Sequence, residues 1–141
     1  MTYIPKIFKS LTDEDYLNSA IETANWLKTL EIKTEHGKIW KNFPDGQNGF
    51  GKDIMLFGPT NIYSGSAGIG IFFLRLYQAT KEPIYKEVAE NLEKKMDSVL
   101  LDSSVMDHDS GFRWLPTAVA NYRLFGSKES QNRGMIAASN L

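Results

Sequence analysis

The segment from Ile69 to Tyr77 holds seven large apolar side chains and a single charge, Arg75. At helical spacing this leaves almost no polar face. A helix that is apolar all round has to be covered on every side. Lys81-Glu82-Pro83 then opens a second helix, with Pro83 suited to its first turn. Its pattern is amphipathic. Tyr85, Val88, Ala89, Leu92, Met96, Val99 and Leu100 share one face, and Lys86, Glu87, Glu90, Glu93 and Lys94 take the side expected to meet water.

The alternation recurs further on. Phe112, Trp114, Leu115, Ala118, Val119 and Tyr122 predict another mostly apolar helix, with Pro116 near its first turn. Phe125-Gly126-Ser127-Lys128-Glu129 reads as a turn and cap, and Met135-Ile136-Ala137-Ala138 belongs to a last helix. Tyr77 and Tyr122 stand at equivalent points 45 residues apart, and Ala89-Glu90-Asn91-Leu92 echoes Ala138-Ser139-Asn140-Leu141 at 49. Repeated helix pairs of this size build a solenoid or a closed toroid. Helices without a wet face favour the toroid, with an inner layer lining a barrel and an outer layer around it. The expected class is all-α: helix hairpins forming part of an α/α barrel, in one partial domain over residues 1–141.

Composition narrows the function classes. The chain has 141 residues, enough for one domain with a real core. A net charge of −1 gives no footprint for nucleic acid or an anionic membrane. The absence of cysteine removes disulfides, thiolate metal sites and a cysteine nucleophile. The N-terminal residues lack the apolar run of a signal peptide, and Ile69–Tyr77 is far shorter than the ~20 residues that span a bilayer. These features predict a cytoplasmic protein with no cofactor, no nucleic-acid partner and no membrane partner.

Upstream, Thr12-Asp13-Glu14-Asp15 is a helix start, followed by Leu17, Ile21, Ala24 and Leu27 at helical spacing. A glycine-rich irregular region then runs from His36 to Ser66, with room for a strand at Ile54–Phe57. Trp26 and Trp40 are assigned to packing. The last apolar helix reaches Leu141 without a stop signal, so the expectation is an incomplete barrel that self-associates through exposed apolar helices.

Chemistry concentrates in Asp107-His108-Asp109-Ser110-Gly111-Phe112-Arg113-Trp114. Two carboxylates and an imidazole sit beside a glycine at the start of an aromatic helix. Asp109 suits either an N-cap or a ligand-facing acid. Trp114 suits either the core or a sugar-stacking platform. Metal binding is not expected, because adjacent side chains rarely converge on one ion. Gly65-Ser66-Ala67-Gly68-Ile69-Gly70 lacks the order and the preceding strand of a phosphate loop. Ser64 and Ser66 have no nearby histidine to activate them.

The run Leu92–Leu141, with His108-Asp109-Ser110-Gly111-Phe112-Arg113-Trp114 and Ala120-Asn121-Tyr122-Arg123-Leu124, resembles glycoside hydrolase family 88, the unsaturated glucuronyl hydrolases. That resemblance implies a barrel of six helix hairpins and hydration of a vinyl ether in an unsaturated uronyl oligosaccharide. It also implies a catalytic role for Asp109 and substrate contacts from His108, Phe112 and Trp114. The second catalytic aspartate would lie downstream, so this chain alone is expected to be inactive. Residues 1 to about 90 tell a different story. Trp40, Gly58-Pro59 and Asn61-Ile62-Tyr63-Ser64-Gly65-Ser66-Ala67-Gly68-Ile69-Gly70 resemble the lanthionine synthetase C-like proteins, which modify or bind peptides on an α/α toroid. Their zinc-binding cysteines and histidine would also lie downstream. The change of resemblance falls near residues 80 to 95. A third reading is a non-catalytic helical module that binds a partner.

Overall fold

The computed structural model describes residues 10–34, 37–40, 66–102, 104, 106 and 110–140. Helix α1 (Asp13–Thr29) starts on a capping box, in which the Thr12 side chain accepts from the Asp15 N–H and the Asp15 carboxylate accepts from the Thr12 N–H at 2.8 Å. Strands β1 (Glu31–Thr34) and β2 (Gly37–Trp40) pair antiparallel, with Glu31 opposite Trp40 and Ile32 opposite Ile39. Then follow α2 (Ser66–Thr80), α3 (Pro83–Lys94) and the short α4 (Asp97–Leu100). A continuous rod comes next: α5 (Gly111–Trp114), a π-helical turn (Leu115–Val119) and α6 (Ala120–Phe125). Helix α7 (Lys128–Ser139) closes the order. The class is all-α, with one two-stranded hairpin added. That hairpin was not expected; four-residue strands give alternation too little length to show. The possible strand at Ile54–Phe57 lies outside the described residues.

Two helix hairpins form the framework, and they share one register. Helix α2 ends at Thr80 and α6 at Phe125, while α3 (83–94) and α7 (128–139) start and end 45 residues apart. The turns match as well. Lys81 (φ 61°) and Gly126 (φ 71°) are both left-handed, and each donates its N–H to the tyrosine carbonyl four residues back, at 2.8 Å. The 49-residue echo is therefore about one 3.6-residue turn out of register. A slip of one turn leaves the apolar face in place, so both spacings carry the same apolar pattern.

Helix α2 is the hub. It packs on α1, α3, α5, the π turn and α6. Ala67, Gly70, Phe73, Leu74 and Leu76 are buried, but Arg75, Gln78 and Ala79 are exposed, so its cover is not complete on all sides. The first core cluster gathers around Phe73, with Ala24, Trp40, Leu74, Leu76, Tyr85, Val88, Ala89 and Leu92. Phe73 stacks on Tyr85 at 6.0 Å and meets Phe72 edge-on at 5.3 Å. Trp40 packs as expected and donates its indole N–H to the Leu27 carbonyl at 2.8 Å. Trp26 does not. It is 59% exposed, because helical spacing turns it away from Leu17, Ala24 and Leu27.

Pro116 sits in the second turn of its helix rather than the first. It has no N–H to offer the Phe112 carbonyl, and its ring crowds that oxygen. The rod adapts by widening. The Ala120 N–H reaches back five residues to Leu115, and the Thr117 hydroxyl donates to the Arg113 carbonyl at 2.6 Å.

Lys95, just beyond α3, lies half-buried with its Nζ 3.5 Å from the Lys38 carbonyl. Desolvation pushes its pKa down to about 8, from 10.5. Between these values the unfolded chain binds more protons than the folded one, so stability should rise with pH there; below pH 8 the burial cost is fully present. Urea midpoints of wild type and Lys95→Met, measured at pH 7 and pH 10, should converge as the pH rises, with the variant ahead at pH 7. Parallel midpoints would count against it.

Candidate functional site

The motif region divides into a described and an undescribed part. His108 and Asp109 lie outside the described residues, as does Asp107. Ser110 is fully buried, and its carbonyl accepts from the Arg113 and Trp114 N–H groups at 3.0 and 3.3 Å, opening α5. Phe112 is 41% exposed. Trp114 is buried with Met96, Leu100, Ala118 and Ala137, and Val99 and Met106 pack alongside. Among the described residues, its indole Nε1 has no hydrogen-bond partner. Phe112 and Trp114 thus sit in different environments, one partly exposed and one inside the second core cluster.

A polar cluster that the sequence pattern did not flag is built where α3 meets the second hairpin. Glu93, expected on the solvated face, is only 2% exposed. Its Oε2 accepts from Asn121 Nδ2 at 3.1 Å and from Ser130 Oγ at 3.0 Å, and its Oε1 accepts from Arg133 Nη1 at 3.1 Å. Arg133 also grips Asp97 with two prongs, Nε to Oδ1 at 2.6 Å and Nη2 to Oδ2 at 2.9 Å, and reaches Glu129 at 2.9 Å. The hydrogen bonding that Arg133 donates to Asp97 is the main reason the guanidinium is held above its ordinary pKa, against the opposing pull of burial. Asn121 Nδ2 also donates to Ser130 Oγ at 2.9 Å, while Asn121 Oδ1 is buried without a partner among the described residues.

The 45-residue register shows how unusual this cluster is. Asn121, Ser130 and Arg133 occupy the positions that Leu76, Tyr85 and Val88 fill in the first hairpin, and all three of those are buried and apolar. The second hairpin has exchanged three core residues for polar ones, and Glu93 turns inward to meet them. A faint signal existed. Glu93 stands four residues after Ala89 and three before Met96, on the border of the apolar stripe.

Chemically the cluster is a lock rather than a catalyst. Four arginine N–H bonds are committed to carboxylates. Ser130 Oγ lies near Glu93 but is buried away from any substrate. One side of the lock opens to a cleft of about 270 Å³ between α4 and α7, lined by Asp97, Leu100, Leu101, Glu129, Asn132, Arg133 and Ile136. Among the described residues, no group of three or more histidine, cysteine or acidic side chains is placed to hold a metal ion, and no helix is long and apolar enough to cross a membrane.

The family model for lanthionine synthetase C-like proteins matches residues 57–121, 65 of the chain's 141. The match runs from the segment before α2 through the first hairpin to the start of α6. No curated protein and no solved structure matches the chain. The resemblance of residues 92–141 to glycoside hydrolase family 88 finds no support in these comparisons, and the lanthionine synthetase C-like resemblance does.

Proposed function

We propose that this chain supplies a lanthionine synthetase C-like segment of an α/α toroid that holds a peptide, and that its own residues carry no thioether-forming chemistry. The observation that carries this reading is the family match over residues 57–121. Proteins of that family are α/α toroids, and paired hairpins at a fixed register are the units such a toroid needs. The family's zinc does not fit the residues present. The chain has no cysteine, and its two histidines lie outside the described residues. No metal-dependent step is assigned to it.

The cleft beside Arg133 favours a peptide over a sugar. Leu100, Leu101 and Ile136 offer an apolar wall, and the Asp97 and Glu129 carboxylates stand at its edge. Its volume is below the ~300–1,000 Å³ usual for whole small ligands and suits one long side chain. A lysine or arginine would lay its stem on the leucines and its charge near the acids.

Titration calorimetry of the full 141-residue chain against short peptides containing lysine or arginine should give saturable binding. The same peptides with norleucine in place of the basic residue should bind at least about tenfold more weakly. The chain should purify without stoichiometric zinc and release no unsaturated uronic acid from an uronyl disaccharide. Equal affinity for both peptide series would defeat the peptide reading. Stoichiometric zinc would defeat the assignment of no metal chemistry, and sugar release would restore the hydrolase.

A further inference from the structure

We infer that the cleft beside Arg133 selects lysine over arginine in the peptide it holds, because Arg133 already occupies the carboxylate edge that a second guanidinium would need. The inference rests on the peptide reading above and adds to it which basic residue the cleft takes. An arginine outbinds a lysine where its planar fork can lie along both oxygens of one carboxylate. At Asp97 that edge is filled from within. Arg133 places Nε on Oδ1 at 2.6 Å and Nη2 on Oδ2 at 2.9 Å. The same Nη2 also holds Glu129 Oε1 at 2.9 Å, so a fork on Glu129 would share that oxygen with a like charge.

What the cleft still offers suits a compact ammonium. Each carboxylate oxygen carries two lone pairs, and Arg133 uses one at each oxygen of Asp97 and one at Glu129 Oε1. The Asp97 and Glu129 side chains remain 45% and 63% exposed, so the rest can be reached from the cleft they line. An ammonium needs no fixed plane and can turn its three donors to single lone pairs on separate carboxylates. The local charge favours a cation as well. Glu93, Asp97 and Glu129 set three carboxylates against the one guanidinium of Arg133. Leu100, Leu101 and Ile136 then take the four-carbon stem.

Titration calorimetry of the full chain against paired peptides, identical except for lysine or arginine at one position, tests this. The lysine peptide should bind at least about fivefold more tightly. Glu93→Leu with Arg133→Met clears the Asp97 edge without stranding a buried charge, and should remove or reverse that preference. A lysine peptide trimethylated at Nζ keeps its charge but loses its N–H donors. It should bind no better than the arginine peptide, and it decides the matter if the double variant does not fold. Arginine binding as tightly as lysine would overturn the inference and leave the peptide reading standing. So would a lysine preference that survives in the folded double variant, or a trimethylated peptide that binds like lysine. Failure of both peptides to bind would overturn the peptide reading, and this inference with it.

Discussion

Replacing Arg133 by methionine should cost the folded chain about 3–5 kcal/mol, because it strands Glu93 as a buried, uncompensated carboxylate. The other contacts of Glu93 are two neutral donors, Asn121 and Ser130. These hydrogen bonds solvate the carboxylate but do not balance its charge. Asp97 and Glu129 should suffer less, since both keep substantial contact with water. Arg133→Lys should fall between wild type and Arg133→Met, keeping a charge while losing the two-pronged grip on Asp97. The decisive variant is Glu93→Leu with Arg133→Met, which removes the buried charge together with its partner. It should recover most of the lost stability, since apolar replacement of a buried ion pair is often neutral or better. Urea unfolding of the four proteins at neutral pH measures these differences. An Arg133→Met variant within about 1 kcal/mol of wild type would show that water reaches the Glu93 carboxylate at little cost.

That cluster also marks where reading the sequence stops being enough. Helical spacing assigns Tyr85, Val88, Ala89 and Leu92 to the buried side of α3, and they are buried. The same spacing gives Glu93 to water. Period arithmetic resolves a face to about one residue, and a side chain on its border is decided by what the neighbouring element offers. The offer comes from Asn121, Ser130 and Arg133, 28 to 40 positions away. None of the three looks like a core residue when read singly. Their equivalence to Leu76, Tyr85 and Val88 needs the repeat register, which the structure places at 45 for both helices of the hairpin. From sequence alone, that register was clear for the tyrosines and blurred for the amphipathic helices.

The candidate site was less legible than the fold, for a related reason. Reactive groups are dense at Asp107-His108-Asp109, yet density says nothing about direction. Phe112 and Trp114, two residues apart, are partly exposed and buried in the core, respectively. Two positions along a helix rotate a side chain by about 200°, which sets the two rings in different surroundings. Leu115 and Phe112 belong to a mostly apolar helix, yet they are 61% and 41% exposed.

Phe73→Ala is expected to be the most damaging change within the first core cluster, at about 3–5 kcal/mol. The ring is fully buried, stacked on Tyr85 and met edge-on by Phe72, at the centre of the helix that touches most of the fold. Removing it leaves a hole between α2 and α3 that the packed walls cannot close. Phe73→Leu keeps most of the volume and should lose only about 1 kcal/mol. Leu115→Ala, at a position 61% exposed, should move stability by no more than about 0.5 kcal/mol. The equivalent of Phe73 in the second hairpin is Ala118, also fully buried, and the equivalent of Trp114 is Ile69. Bulk has moved one turn along the helix between the two repeats, from position 73 in the first to position 114 in the second. Adding Ala118→Phe to Phe73→Ala therefore should not rescue stability, because the Trp114 indole already fills the second cluster and overpacking there adds about 1–3 kcal/mol of cost. Thermal and urea unfolding of the single and double variants would show a double variant less stable than Phe73→Ala alone. A double variant that recovers toward wild type would mean the two clusters share one deformable core.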